Sequence, residues 1–239
     1  MRGEKAVWGM MIGSVLLQWY VMYSSDLYET ALPFAAGLQA ADTGGGNVTQ
    51  ILYAVIPVPF LLWLFSGRAD AIVLGYGKAY IIRSYSREKL LLKETGRMAL
   101  GTAVVQCFTW ALFQGFSHQS WEPLDLQVQV RVMLLYTLVL IAALLLQFCL
   151  ELIISQVYAQ IVTLVYFAGS LFAYSAAGEA GLPLAARFAL FPNLGFAIRN
   201  GALEAGTGPI FRFSAAALLL VCALLIYISL KILQKKDIM

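Results

Sequence analysis

Seven of the chain's 16 lysines and arginines fall between Gly67 and Arg97. They are Arg68, Lys78, Arg83, Arg87, Lys89, Lys93 and Arg97, set against Asp70, Glu88 and Glu94. Two chemistries fit so dense a basic island: anchoring on anionic headgroups, and a charged surface on which a soluble partner seats. Arg83 and Arg87 are four residues apart, as are Lys89 and Lys93, and such pairs share one face of a helix. Ser84 and Ser86 permit a turn or helix start, and Leu90, Leu91 and Leu92 lead towards an apolar run. The segment therefore predicts a short amphipathic helix, a turn, and then a membrane span.

Residue types that serve catalysis are sparse elsewhere. His118 is the single histidine and stands beside Gln119, Ser120 and Trp121, where a surface role outweighs a catalytic one. There is no paired-histidine metal pattern, nucleophile elbow or Walker-type phosphate loop. Gly44-Gly45-Gly46 lacks a strand before it and reads as a flexible turn; Asn47-Val-Thr49 matches a glycosylation acceptor by tripeptide alone. Cys107, Cys149 and Cys222 lie within apolar runs and read as small buried hydrophobes. Glu151 sits near the end of an apolar run. It is either part of a proton or cation relay or a headgroup-level carboxylate paired with basic residues, and the lack of a second acidic or histidine partner favours the latter. No catalytic residue, metal site or bound cofactor is expected.

The elements that position these residues follow from composition. The chain is 61% hydrophobic and 12% charged, about half the charged share of a soluble domain. That balance excludes a water-soluble globule and, with a formal charge of +3, gives no reason to expect nucleic acid as a partner. A span needs about 20 apolar residues. Six runs qualify, at about 7–23, 49–65, 98–115, 132–153, 157–174 and 213–233, giving an all-α polytopic membrane protein with one transmembrane domain over 1–239. Pro57 and Pro59 should kink the second. The Trp8, Trp19, Trp63, Trp110 and Trp121 side chains, with Tyr20 and Tyr23, make the usual aromatic belts. The first run has no convincing cleavage site, so no removable signal peptide is expected.

Charge sets the orientation. Residues 24–48 carry Asp26, Glu29 and Asp42 without a lysine or arginine, and 116–131 carry Glu122 and Asp125 with Arg131 at the edge. The basic island, Arg2 and Lys5, and Lys231, Lys235 and Lys236 mark the other side, so both termini are expected to be cytoplasmic in the inner membrane. Residues 175–212 are too apolar for a solvated loop and too interrupted by Pro192, Asn193, Gly195 and Arg199 for a simple span. Three structures fit: a re-entrant hairpin turning at Pro192–Asn193, an interfacial amphipathic helix, or a broken seventh span.

Four features together resemble the ABC-2 type permease subunits of bacterial ABC exporters. They are the basic inner segment Gly75–Lys78 through Arg83–Lys89, the minimal link near Ser155–Gln156, the semi-apolar stretch from Leu182-Pro183 to Arg199, and a last span ending in Lys231–Lys236. The resemblance covers the chain by architecture rather than by one diagnostic motif. It implies a coupling helix at about 76–95 between spans two and three. Arg83, Ser84, Tyr85, Ser86, Arg87 and Lys89 would there meet an ATP-binding subunit present in two copies. It implies an outer gate within about 183–209 built on Pro192, Asn193, Gly195 and Arg199. It also implies a second permease chain, identical or similar, with ATP and Mg held by the partner subunit. The expected activity is outward transport of an amphiphilic or hydrophobic substrate, with antimicrobial peptide export or self-immunity as the expected use. The alternative is a passive substrate-binding or immunity membrane protein without a transport cycle.

Overall fold

Prolines, a left-handed glycine and a serine cap punctuate the long runs. The computed structural model describes residues 2–25, 27–28, 30–36, 46–73, 86–119, 121–177, 189–197 and 208–235. In chain order the helices are α1 (Arg2–Tyr23), α2 (Pro33–Ala36), α3 (Gly46–Val55), α4 (Pro57–Leu64), α5 (Arg68–Val73), α6 (Arg87–Gly115), α7 (Leu126–Glu151), α8 (Gln156–Ala177) and α9 (Gly208–Lys235). A 3-10 turn, Phe191–Gly195, precedes α9. Among the described residues the only β pairing is an isolated bridge between Thr30 and Glu122. The chain is all-helical, as its composition predicts.

Among the described residues, five stretches are long and apolar enough to cross a membrane: Lys5–Tyr23, Val48–Val73, Leu126–Glu151, Gln156–Tyr174 and Phe211–Lys235. The remaining expected span lies in α6, whose 29 residues reach about 44 Å at ~1.5 Å per residue. Its first three turns carry Arg87, Glu88, Lys89, Lys93, Glu94 and Arg97, which lowers its apolar character.

α7 is the hub. Its most apolar stretch is 67% buried, against 28% for α1, α8 and α9, and it packs on α9, the 3-10 turn, α8 and α6. Its fully buried Tyr136 packs against the buried rings of Phe34 and Phe196, and Phe34 in turn against Phe113. The α7–α8 link, Leu152–Ser155, closes with the Ile153 and Ile154 amides both 2.8 Å from the Leu150 carbonyl. So short a connection forces antiparallel neighbours.

Two local outcomes have clear causes. The proline pair breaks the second run at Ile56, between α3 and α4. Pro57 and Pro59 cannot donate to the preceding turn; Gln18, fully buried on α1, instead donates to the Tyr53 carbonyl at 3.0 Å and the Ala54 carbonyl at 3.3 Å. No turn separates the charged residues after Ser86 from the third expected span. Residues 87–115 form one helix started by Ser86, whose hydroxyl accepts from the Lys89 amide at 3.3 Å. No proline interrupts it, and Gly96 has open space around it, so the chain has no reason to bend there.

Candidate functional site

The basic side chains gather at one end of the bundle, where α1 and α6 begin, α4 meets α5, α7 meets α8, and α9 ends. Phe65–Gly67 turns there, and Gly67 adopts φ +77, a conformation that side chains other than glycine rarely take. The Gln156 side chain lies over this glycine, so close that an added Cβ would stand 3.0 Å from its Oε1.

Glu151, 4% exposed, fastens this turn to the end of α7. Its carboxylate accepts from the Gly67 amide at 3.1 Å, the Ala69 amide at 3.3 Å and Gln147 Nε2 at 2.8 Å. Gln147 Nε2 also donates to the Leu62 carbonyl at 3.1 Å. The first amides of α5 would otherwise lack acceptors. Among the described residues Glu151 has no ion-pair partner, so backbone amides do the work that its headgroup reading assigned to basic side chains.

A second carboxylate, Glu94, is 1% exposed on α6. Arg97 reaches it at 3.1 Å from the same helix and Arg68 at 3.6 Å from α5. This ties α5 to the first turns of α6. Arg87 does a different job: its guanidinium donates to the Leu233 and Gln234 carbonyls, each at 2.9 Å, and so caps the end of α9. Beside these groups lies a cavity of 780 Å³ bordered by Trp8, Trp63, Arg68, Arg97 and Gln156.

The opposite end holds the Pro192 segment. Phe191 through Ala197 are all buried. Asn193 Nδ2 donates to the Ser170 carbonyl on α8 at 3.0 Å and to the Leu190 carbonyl at 3.1 Å. The Tyr166 hydroxyl donates to the Ala189 carbonyl. Gly195 presses on α7: an added Cβ would stand 2.6 Å from Val139 Cγ2 and 3.5 Å from the Leu135 carbonyl. Val139 lies about 20 Å along α7 from Leu126, at ~1.5 Å per residue. The turn therefore reaches the middle of the bundle instead of resting on its rim.

A family described as a protein of unknown function, DUF2705, matches residues 10–239. The chain belongs to that family. It is also 25% identical over 181 residues to the uncharacterized protein YybK of Bacillus subtilis (strain 168), covering 72% of this chain and 71% of that one. No solved structure matches it.

In this DUF2705 chain the expected coupling residues separate into different roles. Ser86 is an N-cap, Arg87 caps α9, and Lys89 is exposed on the first turn of α6. Arg83, Ser84 and Tyr85 lie outside the described residues, as does Arg199 of the expected gate. Pro192, Asn193 and Gly195 come together within one buried turn. Cys149 and Cys222 are buried, whereas Cys107 is exposed. Among the described residues no group of three or more histidine, cysteine or acidic side chains is placed to hold a metal ion. The His118 ring stands edge-on to Tyr23, with centroids 5.0 Å apart, in an aromatic cluster with Trp121.

The sequence assigned no role to Gln18 or Gln147, which tie spans to one another; their signal is a glutamine inside an otherwise apolar run. Asn193→Ala removes the side-chain bond between the buried turn and α8. It is expected to lower stability by about 1–2 kcal/mol, seen as an earlier thermal midpoint of the detergent-solubilised protein.

Proposed function

We propose that this chain is the membrane-spanning permease subunit of an ABC exporter, driven by a separate ATP-binding subunit. The observation that carries the reading is the Phe191–Gly195 turn, buried against α7 and α8 midway through the bundle. Irregular backbone at that depth is tolerated only when protein or a watery cavity surrounds it. A re-entrant outer gate meets that condition; a helix lying flat on the membrane does not need such burial.

Charge supports the orientation. Among the described residues, Lys5, Arg68, Arg87, Lys89, Lys93, Arg97, Lys231 and Lys235 outnumber Asp70, Glu88, Glu94 and Glu151 at one end of the bundle, while Glu122 and Asp125 are balanced by Arg131 and Arg212 at the other. With α6 counted as a span, making six, the basic end is cytoplasmic and both termini lie inside. The early turns of α6, with the preceding residues 76–86, form the surface that meets the ATPase. ATP and Mg stay on that partner, two permease chains frame one path, and the cargo is amphiphilic or hydrophobic, with antimicrobial peptide export or self-immunity as its use.

The test is purification of the tagged chain from native membranes in mild detergent, with co-purifying proteins identified and ATPase activity assayed. A stoichiometric ATP-binding subunit is expected. Arg83→Glu with Lys89→Glu is expected to lose that subunit and its ATPase activity while insertion is retained. Arg87 is left intact because it holds α9. A chain that emerges without an ATPase overturns the permease reading in favour of a passive binding or immunity protein.

A further inference from the structure

We propose that the groove between α1 and α6 at the basic end is a binding site for one anionic phospholipid of the bilayer. Its phosphate would sit between Arg68 and Arg97, and one acyl chain would follow α6. The site goes beyond the permease reading and stands without it.

The groove has a polar head and an apolar tail. The head is the 780 Å³ cavity, where Arg68 and Arg97 face Trp8 and Trp63. The tail is a second cavity of 210 Å³, lined without polar surface by Met11, Val15, Val105 and Phe108. Trp8 and Val104 border both, so the two are neighbours along α1 and α6. From Arg97 to Phe108 the path follows α6 for about 17 Å at ~1.5 Å per residue.

Charge selects the ligand. Two guanidinium groups share the Glu94 carboxylate, which leaves one net positive charge among the three. Their side chains are 30% and 56% exposed, so N–H donors remain available. The planar fork of arginine matches phosphate oxygens. Trp63, 41% exposed, lies at the same level, where tryptophan indoles meet lipid headgroups. Basic pockets between spans at the cytoplasmic face recognise phospholipid headgroups by this chemistry. A free phosphate would use the arginines but leave the apolar tail unfilled, which is why the lipid is favoured.

The test is native mass spectrometry of the full purified chain exposed to equal phosphatidylglycerol and phosphatidylcholine. About a five- to tenfold preference for the anionic lipid is expected. Arg68→Gln, Glu94→Gln and Arg97→Gln together should abolish the preference without stranding a buried carboxylate. Val104→Trp, at a position 54% exposed, should obstruct the groove and lower adducts of both lipids while the arginines remain. It decides the matter if the triple variant unfolds. Equal binding of both lipids, an unchanged preference in a folded triple variant, or full lipid binding by Val104→Trp overturns the proposal. Displacement of phosphatidylglycerol by excess inorganic phosphate equally overturns it, by showing a site for the free anion.

Discussion

Gly195→Val is expected to cost at least about 3 kcal/mol of stability, beyond the usual range for overpacking. Even a methyl at this position meets Val139 Cγ2 at 2.6 Å and Val139 Cβ at 2.9 Å. Those atoms are stiff, because valine branches at Cβ and holds few rotamers, and Val139 lies on the central helix with no exposed surface. The turn cannot retreat easily. Asn193 holds it to α8, and the Phe196 ring packs 5.5 Å from Tyr136. A branched side chain must therefore push the turn off α7 or push α7 off its neighbours. The measurement is the folded fraction after heating in detergent, with Val139→Ala as the partner change. Recovery of at least half the loss in Gly195→Ala/Val139→Ala, relative to Gly195→Ala alone, would place the strain at this contact. If Gly195→Val melts with the parent, the close packing is not what holds the turn in the bundle.

That contact marks the limit of what the sequence reveals. Apolar runs announce helices because the bilayer demands internally bonded backbone over a fixed thickness. Helix α7 was legible for this reason, and the kink at Pro57 was legible because proline lacks an amide hydrogen. Residues 87–115 were harder. Composition changes sharply at Gly96, but composition reports the solvent around a helix, not whether the helix continues. Ser86 supplies a cap and nothing later breaks the bonding, so a charged and an apolar segment share one rod. The Pro192 stretch fitted a re-entrant hairpin and an interfacial helix equally, with a broken seventh span as the lesser reading, since its burial depends on Ser170 and Val139, distant in sequence. At the basic end, the charge pattern located a surface but not its wiring. Arg87 was grouped with Arg83 by spacing, whereas its guanidinium reaches α9, 146 residues away. Glu151 was recognised as unusual, and only its partners reveal what it does.

Those partners make Glu151→Ala the other large effect, an expected loss of about 3 kcal/mol. The substitution removes the acceptor for two backbone amides and for one bond from Gln147. Gln147 keeps the Leu62 carbonyl, so its loss is partial. The Gly67 and Ala69 amides fare worse. They open a short helix, Arg68–Val73, with little length of its own to hold it in place. Glu151→Gln preserves size but turns an amide nitrogen towards groups that are themselves donors, so an intermediate loss is expected. The two roles weighed for this carboxylate then separate. A proton relay predicts that Glu151→Gln stays as stable as the parent and loses only function. A clamp predicts a graded order of stability, parent above Gln above Ala, with Gln147→Ala and Glu151→Ala less than additive because they share a bond. Thermal unfolding of the four proteins of that cycle, and of Glu151→Gln, reads the difference directly. Strict additivity would show that the Gln147 bond contributes nothing, and equal stability of all variants would remove the clamp altogether. If the clamp holds, the far end of α7 fixes where α5 begins, and with it the Arg68 side that meets Glu94 on α6.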